Sequence, residues 1–335
     1  MSRRIICLAW VMLLAACAPL TAFDATPPAL TRYSTWGTVW TVGRAPTLDA
    51  PALLTDTDSL WLAWADSARG LVVQRRTLSA DRLLHEAIIT LEGSADPRAV
   101  TLHPIGEEGL LVLWLAQDSS GEARLFAAAL DREALSLTLV PLAISDARTL
   151  RYSTASNGVG GLWVVWSGGA IAEPSLYVLA VDGVGRAQVP TLLMQNADNP
   201  AFALTADGAL RLFWLRADEG TPHAAPFVEG RLTDTHTLTT PAPLTSTDRL
   251  VSLNAAFDRT HGYLFWNVVD AGGVARVYIS VGDAGTWSAP RLLGIGSRAG
   301  DAPQVGFNAR TLESAAYGES PLAWLMPLSG AGDTL

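Results

Sequence analysis

The stretch DSLWLAWAD, Asp58–Asp66, closes on a tryptophan and an acid, and close variants of it return five times along the chain. The later copies end on Trp114, Trp166, Trp214, Trp266 and Trp324. Successive tryptophans, counted from Trp64, are therefore 50, 52, 48, 52 and 58 residues apart. A nearly constant period of about 50 residues indicates a repeat architecture in which each copy is one supersecondary unit.

Each copy has the pattern of a buried strand. Apolar side chains stand two and four residues before the tryptophan, as Leu60 and Leu62 do before Trp64, so the three share one strand face. The opposite face is often apolar too, which is typical of a strand between two stacked sheets. A polar loop, a second strand and shorter strand segments complete each unit. Helical periodicity is missing, and 29 Gly and 19 Pro disfavour helices.

The sequence therefore predicts an all-β, six-bladed β-propeller with four-stranded antiparallel blades. The last copy is short, and Tyr33–Val42 (YSTWGTVWTV) has strand character without a partner of its own. We expect the N- and C-terminal strands to pair and close the ring, because closure removes free sheet edges. Seven blades would require Thr31–Thr47 to begin a blade.

The N-terminus has an unusual composition. Two arginines precede the apolar stretch Ile5–Leu14, which is short for a transmembrane helix and leads into Leu14-Ala15-Ala16-Cys17. This segment resembles the lipobox of bacterial lipoproteins. The resemblance implies a signal peptide over 1–16, lipidation of Cys17 and a tether over 17–30. The propeller predicted from the repeat then occupies 31–335. The protein would then be extracytoplasmic and lipid-anchored to a bacterial cell membrane. An ordinary secretory signal with an incidental cysteine is the alternative.

Composition excludes several chemistries. The two cysteines, Cys7 and Cys17, both lie near the N-terminus, so the propeller has no disulfide and no cysteine nucleophile. The chain has no lysine, which excludes a lysine Schiff base and a P-loop. A net charge of −9 without a basic run argues against nucleic-acid binding. The histidines, His103 among them, are scattered without ligand spacing and are interpreted as surface or loop residues.

An aspartate precedes the innermost predicted strand of each unit. One interpretation is a structural turn in which the carboxylate accepts backbone N–H groups. The other is an acidic ring at the channel mouth, joined by acids after the tryptophans, such as Asp66, Asp118 and Asp270. That ring would bind Ca²⁺ or a basic ligand. The six ring residues are Asp49, Asp96, Asp146, Asp198, Asp248 and Asp301.

The segment SVGDAGTWSAPRL, Ser280–Leu292, contains a further motif. It resembles the Asp-box of sialidase-like propellers, S-x-D-x-G-x-T-W, although the Gly-to-Thr gap is one residue shorter. The resemblance implies a turn between the third and fourth strands of a blade. The residues of this turn are Ser280, Asp283, Gly285, Thr286 and Trp287.

Sialidase chemistry would need three arginines that clamp a carboxylate, a Tyr–Glu pair and an acid–base Asp. The matching arginine motif is missing, and inner-strand arginines are few: Arg98, Arg148, Arg151 and Arg249. The sequence therefore favours a non-catalytic module that binds or scaffolds a protein or glycan partner. The alternatives are a sialidase-like glycoside hydrolase or lyase acting at an acidic channel mouth, and a structural subunit of an envelope complex.

Overall fold

The computed structural model describes residues 51–56, 58–66, 68–77, 82–90, 95–205, 208–217, 221–238, 249–257, 261–282, 286–295, 304–306 and 323–325. The chain divides into two compact units, Met1–Gly43 and Arg44–Leu335. The first unit holds the predicted signal peptide, Cys17 and the tether, and it lies outside the described residues. Within the described part of the chain, no helix is long and apolar enough to span a membrane.

Five antiparallel sheets follow one another along the chain, each an up-and-down meander. Sheet 1 contains β1 (Ala52–Thr55), β2 (Ser59–Asp66), β3 (Gly70–Thr77) and β4 (Leu83–Ile89). Sheet 2 contains β5 (Ala95–Ile105), β6 (Gly109–Gln117), β7 (Ala123–Asp131) and β8 (Leu137–Ala143). Sheet 3 contains β9 (Thr149–Ser156), β10 (Leu162–Gly169), β11 (Pro174–Val181) and β12 (Thr191–Met194).

Sheet 4 differs because its outermost position is split in two. It contains β13 (Ala197–Leu204), β14 (Leu210–Arg216) and β15 (Thr221–Val228), with β16 (Arg231–Leu232) and β17 (His236–Thr237) both paired to β15. Sheet 5 contains β18 (Arg249–Phe257), β19 (Gly262–Val269), β20 (Ala275–Gly282) and β21 (Arg291–Ile295). A two-stranded pair of β22 (Gln304–Gly306) and β23 (Ala323–Leu325) follows.

The second strand of each sheet lies between two cores. In β6, Leu110 and Trp114 belong to the cluster shared with sheet 1, whereas Leu111 and Leu113 belong to the cluster shared with sheet 3. The same division places Trp166 against sheet 2, and further clusters join sheets 3 and 4 and sheets 4 and 5. Each repeated tryptophan from Trp114 to Trp266 thus packs towards the preceding sheet, and apolar side chains on both faces of the strand explain the sheet-on-sheet stacking.

The prediction of an all-β chain with four-stranded antiparallel sheets is confirmed. Six blades are not confirmed, because five larger sheets are described and the sixth shows only the pair of β22 and β23. Closure of the ring by terminal strands is not seen either, since β23 pairs with β22 and Tyr33–Val42 lies outside the described residues.

Candidate functional site

The first strands of four successive sheets line a common cavity of about 480 Å³, called here the inner cavity. The strands are β5, β9, β13 and β18, with one residue of β6. Stacking of the sheets brings their first strands together, so residues one repeat apart in sequence meet in space. The polar lining residues include Arg98, Thr101, Arg151, Tyr152, Asn199 and Asn254.

Irregular backbone at the starts of these strands shapes the lining. The β5–β6 register shifts on both sides of Arg98, and the β13–β14 register shifts between Asp198 and Ala201. Ala99 and Asn199 have positive φ angles of 49° and 55°. Such bulges re-aim side chains, and non-glycine residues with positive φ store strain that is common at functional sites. Arg98 and Asn199 therefore reach the cavity from bulges.

Asn199 forms hydrogen bonds with both the carboxylate of Asp198 and the guanidinium of Arg151. Its backbone N–H donates to Asp198 Oδ1 at 2.6 Å, and its side-chain amide nitrogen donates to Asp198 Oδ2 at 3.3 Å. Its amide oxygen accepts a hydrogen bond from the guanidinium of Arg151. Asn199 is buried, so this hydrogen bond helps to fix the guanidinium of Arg151 at the cavity.

Tyr152 is held by structural contacts. Its hydroxyl lies 3.1 Å from Thr101 Oγ1 and 3.1 Å from the carbonyl oxygen of Leu113, and it donates to the carbonyl oxygen of Ala99. The ring also packs against the core shared by sheets 2 and 3. Tyr152 therefore supports the strained bulge at Ala99, as well as lining the cavity.

The prediction that every histidine is a surface or loop residue is wrong for His103. It lies in β5 and is half-buried, and its Nε2 is 2.9 Å from Thr154 Oγ1 of β9. Burial lowers the pKa of His103 to about 4, so the ring is neutral near pH 7. With the Thr101–Tyr152 contact, this makes two side-chain links between the first strands of sheets 2 and 3.

The predicted acidic ring is only partly described. Asp49, Asp248 and Asp301 lie outside the described residues, Asp96 and Asp146 are exposed, and Asp198 accepts the N–H of Asn199. The contact at Asp198 joins adjacent residues, whereas the carboxylate of a structural turn accepts an N–H group two residues ahead. Among the described residues that line the inner cavity, none carries a carboxylate. The ring and its channel-mouth position stay a prediction.

The acids after the tryptophans hold hairpin turns. Asp118 Oδ1 accepts the N–H groups of Ser120 and Glu122, and Oδ2 accepts from Arg124 Nε at 2.9 Å. The Ser120 hydroxyl, with these N–H groups and Arg124, lowers the pKa of Asp118 to about 2. Asp270 repeats the arrangement with Gly272, Val274 and Arg276.

Asp66 serves the same purpose in sheet 1. The backbone N–H of Ala68 and contacts from Arg69 and Trp64 lower the pKa of Asp66 to about 2. Its carboxylate, like those of Asp118 and Asp270, is thus committed to its own turn. Within the described residues, no group of three or more His, Cys, Asp or Glu is placed to hold a metal ion. Calcium binding therefore stays a prediction.

The Asp-box-like turn connects β20 and β21, between the third and fourth strands as expected. Asp283 and Gly285 lie outside the described residues. Trp287 forms a bridge with Gly282, and its ring meets Phe213 and Phe257 edge-on at 5.6 and 6.0 Å. Thr286 is exposed. Ser280 is buried and accepts a hydrogen bond from Trp266 Nε1 at 3.3 Å, so its hydroxyl contacts the core.

Sheet 3 contains a related turn that the sequence analysis missed. Asp182 Oδ1 accepts the N–H groups of Val184 and Arg186, and Val181 bridges Ala187 as Gly282 bridges Trp287. In both turns a proline follows three residues after the bridge, at Pro190 and Pro290. The shared spacing to the proline could have revealed the turn in sheet 3 from sequence. The resemblance is hard to see because Ala187 stands where sheet 5 has Trp287.

A larger cavity of about 720 Å³ lies at the other end of β5, near the β5–β6 turn. Acidic side chains dominate its lining, but its cations are already engaged. Arg132 pairs with Asp56 and lies over the ring of Trp61 at 4.7 Å, while Arg75 covers the same ring at 5.6 Å. The indole N–H of Trp61 donates to the carbonyl oxygen of Arg132 at 2.9 Å. These contacts identify a structural junction between sheets 1 and 2.

Stacked four-stranded meanders whose first strands share a cavity define the class of protein as a β-propeller. No family model matches the chain, and no curated protein matches it in sequence. Among solved structures, the chain is similar to an ulvan lyase of family PL25 bound to -[GlcA(1-4)Rha3S]-. The TM-score is 0.52 and the identity 10%, over 78% of this chain and 74% of that one.

Two further solved structures show a weaker likeness. A protein of unknown function from Dyadobacter fermentans DSM 18053 has a TM-score of 0.49 and 12% identity, over 69% of this chain and 75% of that one. The endo-arabinase from Bacteroides thetaiotaomicron VPI-5482 has a TM-score of 0.42 and 15% identity, over 74% and 93%.

Proposed function

We propose that this chain is a glycan-active β-propeller that holds a polysaccharide segment in the inner cavity. The observation that carries the proposal is the cavity itself, where bulged first strands of successive sheets present hydrogen-bonding side chains around about 480 Å³. That volume lies within the range of about 300–1,000 Å³ typical of small-molecule sites, which is enough for a few sugar rings. The ulvan lyase of similar fold is, by its name, a polysaccharide-cleaving enzyme.

The lining favours elimination over hydrolysis as the reaction. Glycoside hydrolases of the usual kind need two carboxyl groups about 5–10 Å apart across the scissile bond. The described residues of the lining supply guanidinium, amide and hydroxyl groups but no such pair. A lyase instead cleaves by β-elimination, in which a base takes the proton on the carbon next to a carboxylate group and the glycosidic oxygen leaves. Guanidinium groups would stabilise the negative charge that develops on that carboxylate, and Tyr152 is a lining group that would take the proton after releasing its present hydrogen bonds. Within the sequence-based alternative of a glycoside hydrolase or a lyase, we therefore propose the lyase.

A non-catalytic glycan-binding module is the second candidate. The specific observation in its favour is the hydroxyl of Tyr152, which is engaged by Thr101, Ala99 and Leu113 rather than directed at a proton to be abstracted. The inner cavity would then bind without turnover. A protein partner, or a structural place in an envelope complex, remains compatible with the fold alone.

The location of the protein belongs to the same proposal. We infer that the chain is lipidated at Cys17 after removal of residues 1–16 and is held outside the cytoplasm by the tether over 17–30. The support is the lipobox resemblance of Leu14-Ala15-Ala16-Cys17. A lipid anchor next to an extracytoplasmic glycan-binding propeller would keep the protein at the envelope, where extracellular polysaccharides arrive.

The proposal is tested by incubating the full chain with a panel of neutral and acidic polysaccharides. Three signals are recorded: retention in affinity electrophoresis, new reducing ends, and absorbance of an unsaturated sugar product. Reducing ends with the unsaturated chromophore support a lyase, whereas retention without either signal supports the binding module. Reducing ends without the chromophore indicate hydrolysis and overturn the preference for elimination.

A matched pair of variants locates the activity. Asn254→Ala removes an amide that lines the inner cavity, and Gln188→Ala removes an exposed amide in the β11–β12 connection. We expect Asn254→Ala to weaken retention about tenfold, as for a lost hydrogen bond to a ligand, and Gln188→Ala to leave it unchanged. Absence of retention and of product with every polysaccharide refutes the proposed function.

A further inference from the structure

One asparagine of the chain stands in a dipeptide that favours spontaneous deamidation. Of the six asparagines, Asn157 alone is followed by a glycine. Deamidation begins when the backbone nitrogen of the next residue attacks the side-chain amide carbon, and glycine leaves that nitrogen unshielded because it has no side chain. Asn157 and Gly158 begin the turn between β9 and β10, and Gly158 is exposed there. Water and base therefore reach the reacting atoms.

The turn holds the side chain of Asn157 in an arrangement that assists this attack. Asn157 Oδ1 accepts the backbone N–H groups of Val159 at 3.0 Å and of Gly161 at 2.9 Å. Negative charge develops on this oxygen when a nucleophile adds to the amide carbon, and two fixed N–H donors stabilise that charge as in an oxyanion hole. The N–H of Gly158 donates to Ser156 Oγ at 3.2 Å, so the attacking nitrogen lies outside the β9–β10 pairing.

The same turn recurs in the chain with aspartate in place of asparagine. Oδ1 of Asp118, Asp182 and Asp270 likewise accepts the N–H groups two and four residues ahead. The turns at Asn157 and Asp182 are nearly identical in sequence, Asn-Gly-Val-Gly and Asp-Gly-Val-Gly, and both belong to sheet 3. Deamidation thus produces a residue that this turn already accommodates, with a carboxylate that forms charge-assisted hydrogen bonds to the same donors.

We propose that Asn157 is a site of self-modification, where the folded turn promotes conversion of the asparagine to aspartate and isoaspartate. The Gly158 nitrogen loses its proton to water or hydroxide and bonds to Asn157 Cγ. The bond from Cγ to Nδ2 breaks, and the nitrogen takes up a proton and leaves as ammonia, which closes a succinimide ring. Water then opens the ring at Cγ to give aspartate. When water attacks the backbone carbonyl carbon instead, the product is isoaspartate, in which the chain continues through the side chain.

The two products differ in their effect on the junction between sheets 2 and 3. The carbonyl oxygen of Gly160, three residues after Asn157, accepts the N–H of Gly106 in the β5–β6 turn at 2.7 Å. Aspartate leaves the backbone unchanged, so this contact survives. Isoaspartate adds one methylene group to the backbone, and the turn has little room for it, since a Cβ on Gly161 would lie 2.1 Å from the carbonyl oxygen of Val181. We therefore expect isoaspartate to displace Gly160 from Gly106 and to weaken the junction.

The test follows the full chain by mass spectrometry during incubation in mildly alkaline buffer, with and without urea. Trypsin releases the segment 152–186, which contains both turns, because Arg151 and Arg186 flank it and the chain has no lysine. Electron-transfer fragmentation distinguishes aspartate from isoaspartate at position 157. We expect Asn157 to deamidate about tenfold faster than each other asparagine, and no more slowly in the folded protein than in urea, because the two donors act only in the folded turn.

A matched pair of variants isolates the contribution of the N–H donors. Val159→Pro removes one backbone N–H that binds Asn157 Oδ1, whereas Val159→Ala keeps it. The Val159 side chain is 82% exposed, so neither change disturbs the core. We expect Val159→Pro to slow deamidation about tenfold relative to Val159→Ala, as for a lost hydrogen bond to the developing charge. Equal rates in the two variants, or slower deamidation in the folded protein than in urea, overturn the inference.

The urea midpoints of the two products test the structural consequence. Asn157→Asp should unfold at a urea concentration equal to or above that of the unmodified protein, and protein enriched in isoaspartate at position 157 should unfold at a lower one. Equal midpoints of the isoaspartyl protein and Asn157→Asp would overturn the effect on the junction. Because mass and unfolding are measured without a glycan, failure of this inference and failure of the proposed function are distinguishable.

Discussion

Replacing one repeated tryptophan by phenylalanine should cost far less in sheet 3 than in sheet 5. Trp166 and Trp266 occupy equivalent positions, and both are paired across the sheet with a tyrosine, Tyr177 and Tyr278. They are 0% and 1% exposed, so the volume lost is the same. They differ in the hydrogen bonding of the indole nitrogen. Trp266 Nε1 donates to Ser280 Oγ, whereas Trp166 Nε1 is buried with no partner among the described residues.

The expected difference follows from the cost of buried polar groups. Trp266→Phe loses a hydrogen bond and leaves the buried Ser280 hydroxyl without its donor, which costs about 1–2 kcal/mol beyond the cavity. Trp166→Phe instead removes a buried N–H that has no acceptor. Its desolvation penalty of about 1–2 kcal/mol disappears, which offsets part of the cavity cost. The free energy of unfolding should therefore fall by about 2–4 kcal/mol more in Trp266→Phe than in Trp166→Phe.

Urea denaturation followed by far-UV circular dichroism measures both free energies without relying on tryptophan fluorescence. A double-mutant cycle of Trp266→Phe with Ser280→Ala should return a coupling energy of about 1 kcal/mol, since the two side chains share one hydrogen bond. Equal losses in Trp166→Phe and Trp266→Phe, or a larger loss in Trp166→Phe, would refute the assignment of an unsatisfied indole in sheet 3.

Three further predictions concern the pH response, the packing of the Asp-box-like turn and the anchor. The pKa of His103 is lowered from 6.5 to about 4, so its neutral form stabilises the fold above pH 6.5 and that stability is lost as the pH falls towards 4. By linkage this is worth about 2–3 kcal/mol, and His103→Gln should flatten that part of the pH dependence of urea unfolding. Gly262→Ala would place Cβ 2.5 Å from Phe257 Cε1 and 2.7 Å from Trp287 Cη2, and it should lower stability by about 1–3 kcal/mol, measured as the urea midpoint; an unchanged midpoint would contradict the packing. Cys17→Ala should move the protein from the membrane to the soluble fraction and remove the lipid mass from its N-terminus; retention in the membrane would argue for another anchor.

The periodic features were predictable because strands obey a simple alternation. The DSLWLAWAD pattern and its copies correctly predicted five strands, each of which contains the repeated tryptophan. These strands are β2, β6, β10, β14 and β19. Apolar side chains on both faces correctly indicated sheets stacked on both sides. The number of blades does not follow from the same pattern, since ring closure depends on pairing between distant ends of the chain.

The acidic residues were harder to interpret from sequence. Asp66, Asp118 and Asp270 look like exposed loop acids, and the prediction of an acidic ring at the channel mouth included them for that reason. Their carboxylates instead accept N–H groups two to four residues ahead and contact a nearby arginine. An Asp-to-Arg spacing of six residues, in Asp118–Arg124 and Asp270–Arg276, was a local signal of this role that the sequence already contained.

The sequence by itself determined the strand pattern, the repeat and the all-β class, because these depend on neighbours within a few residues and on a spacing that is visible in one dimension. Only the tertiary structure decided which polar residues meet. Arg98 and Arg151 stand one repeat apart, and each looks like an isolated inner-strand arginine. Stacked sheets bring their first strands to one cavity, and the bulges at Arg98 and Asn199 set what those strands present to it. Register shifts of this kind arise from packing between sheets, which no local pattern records.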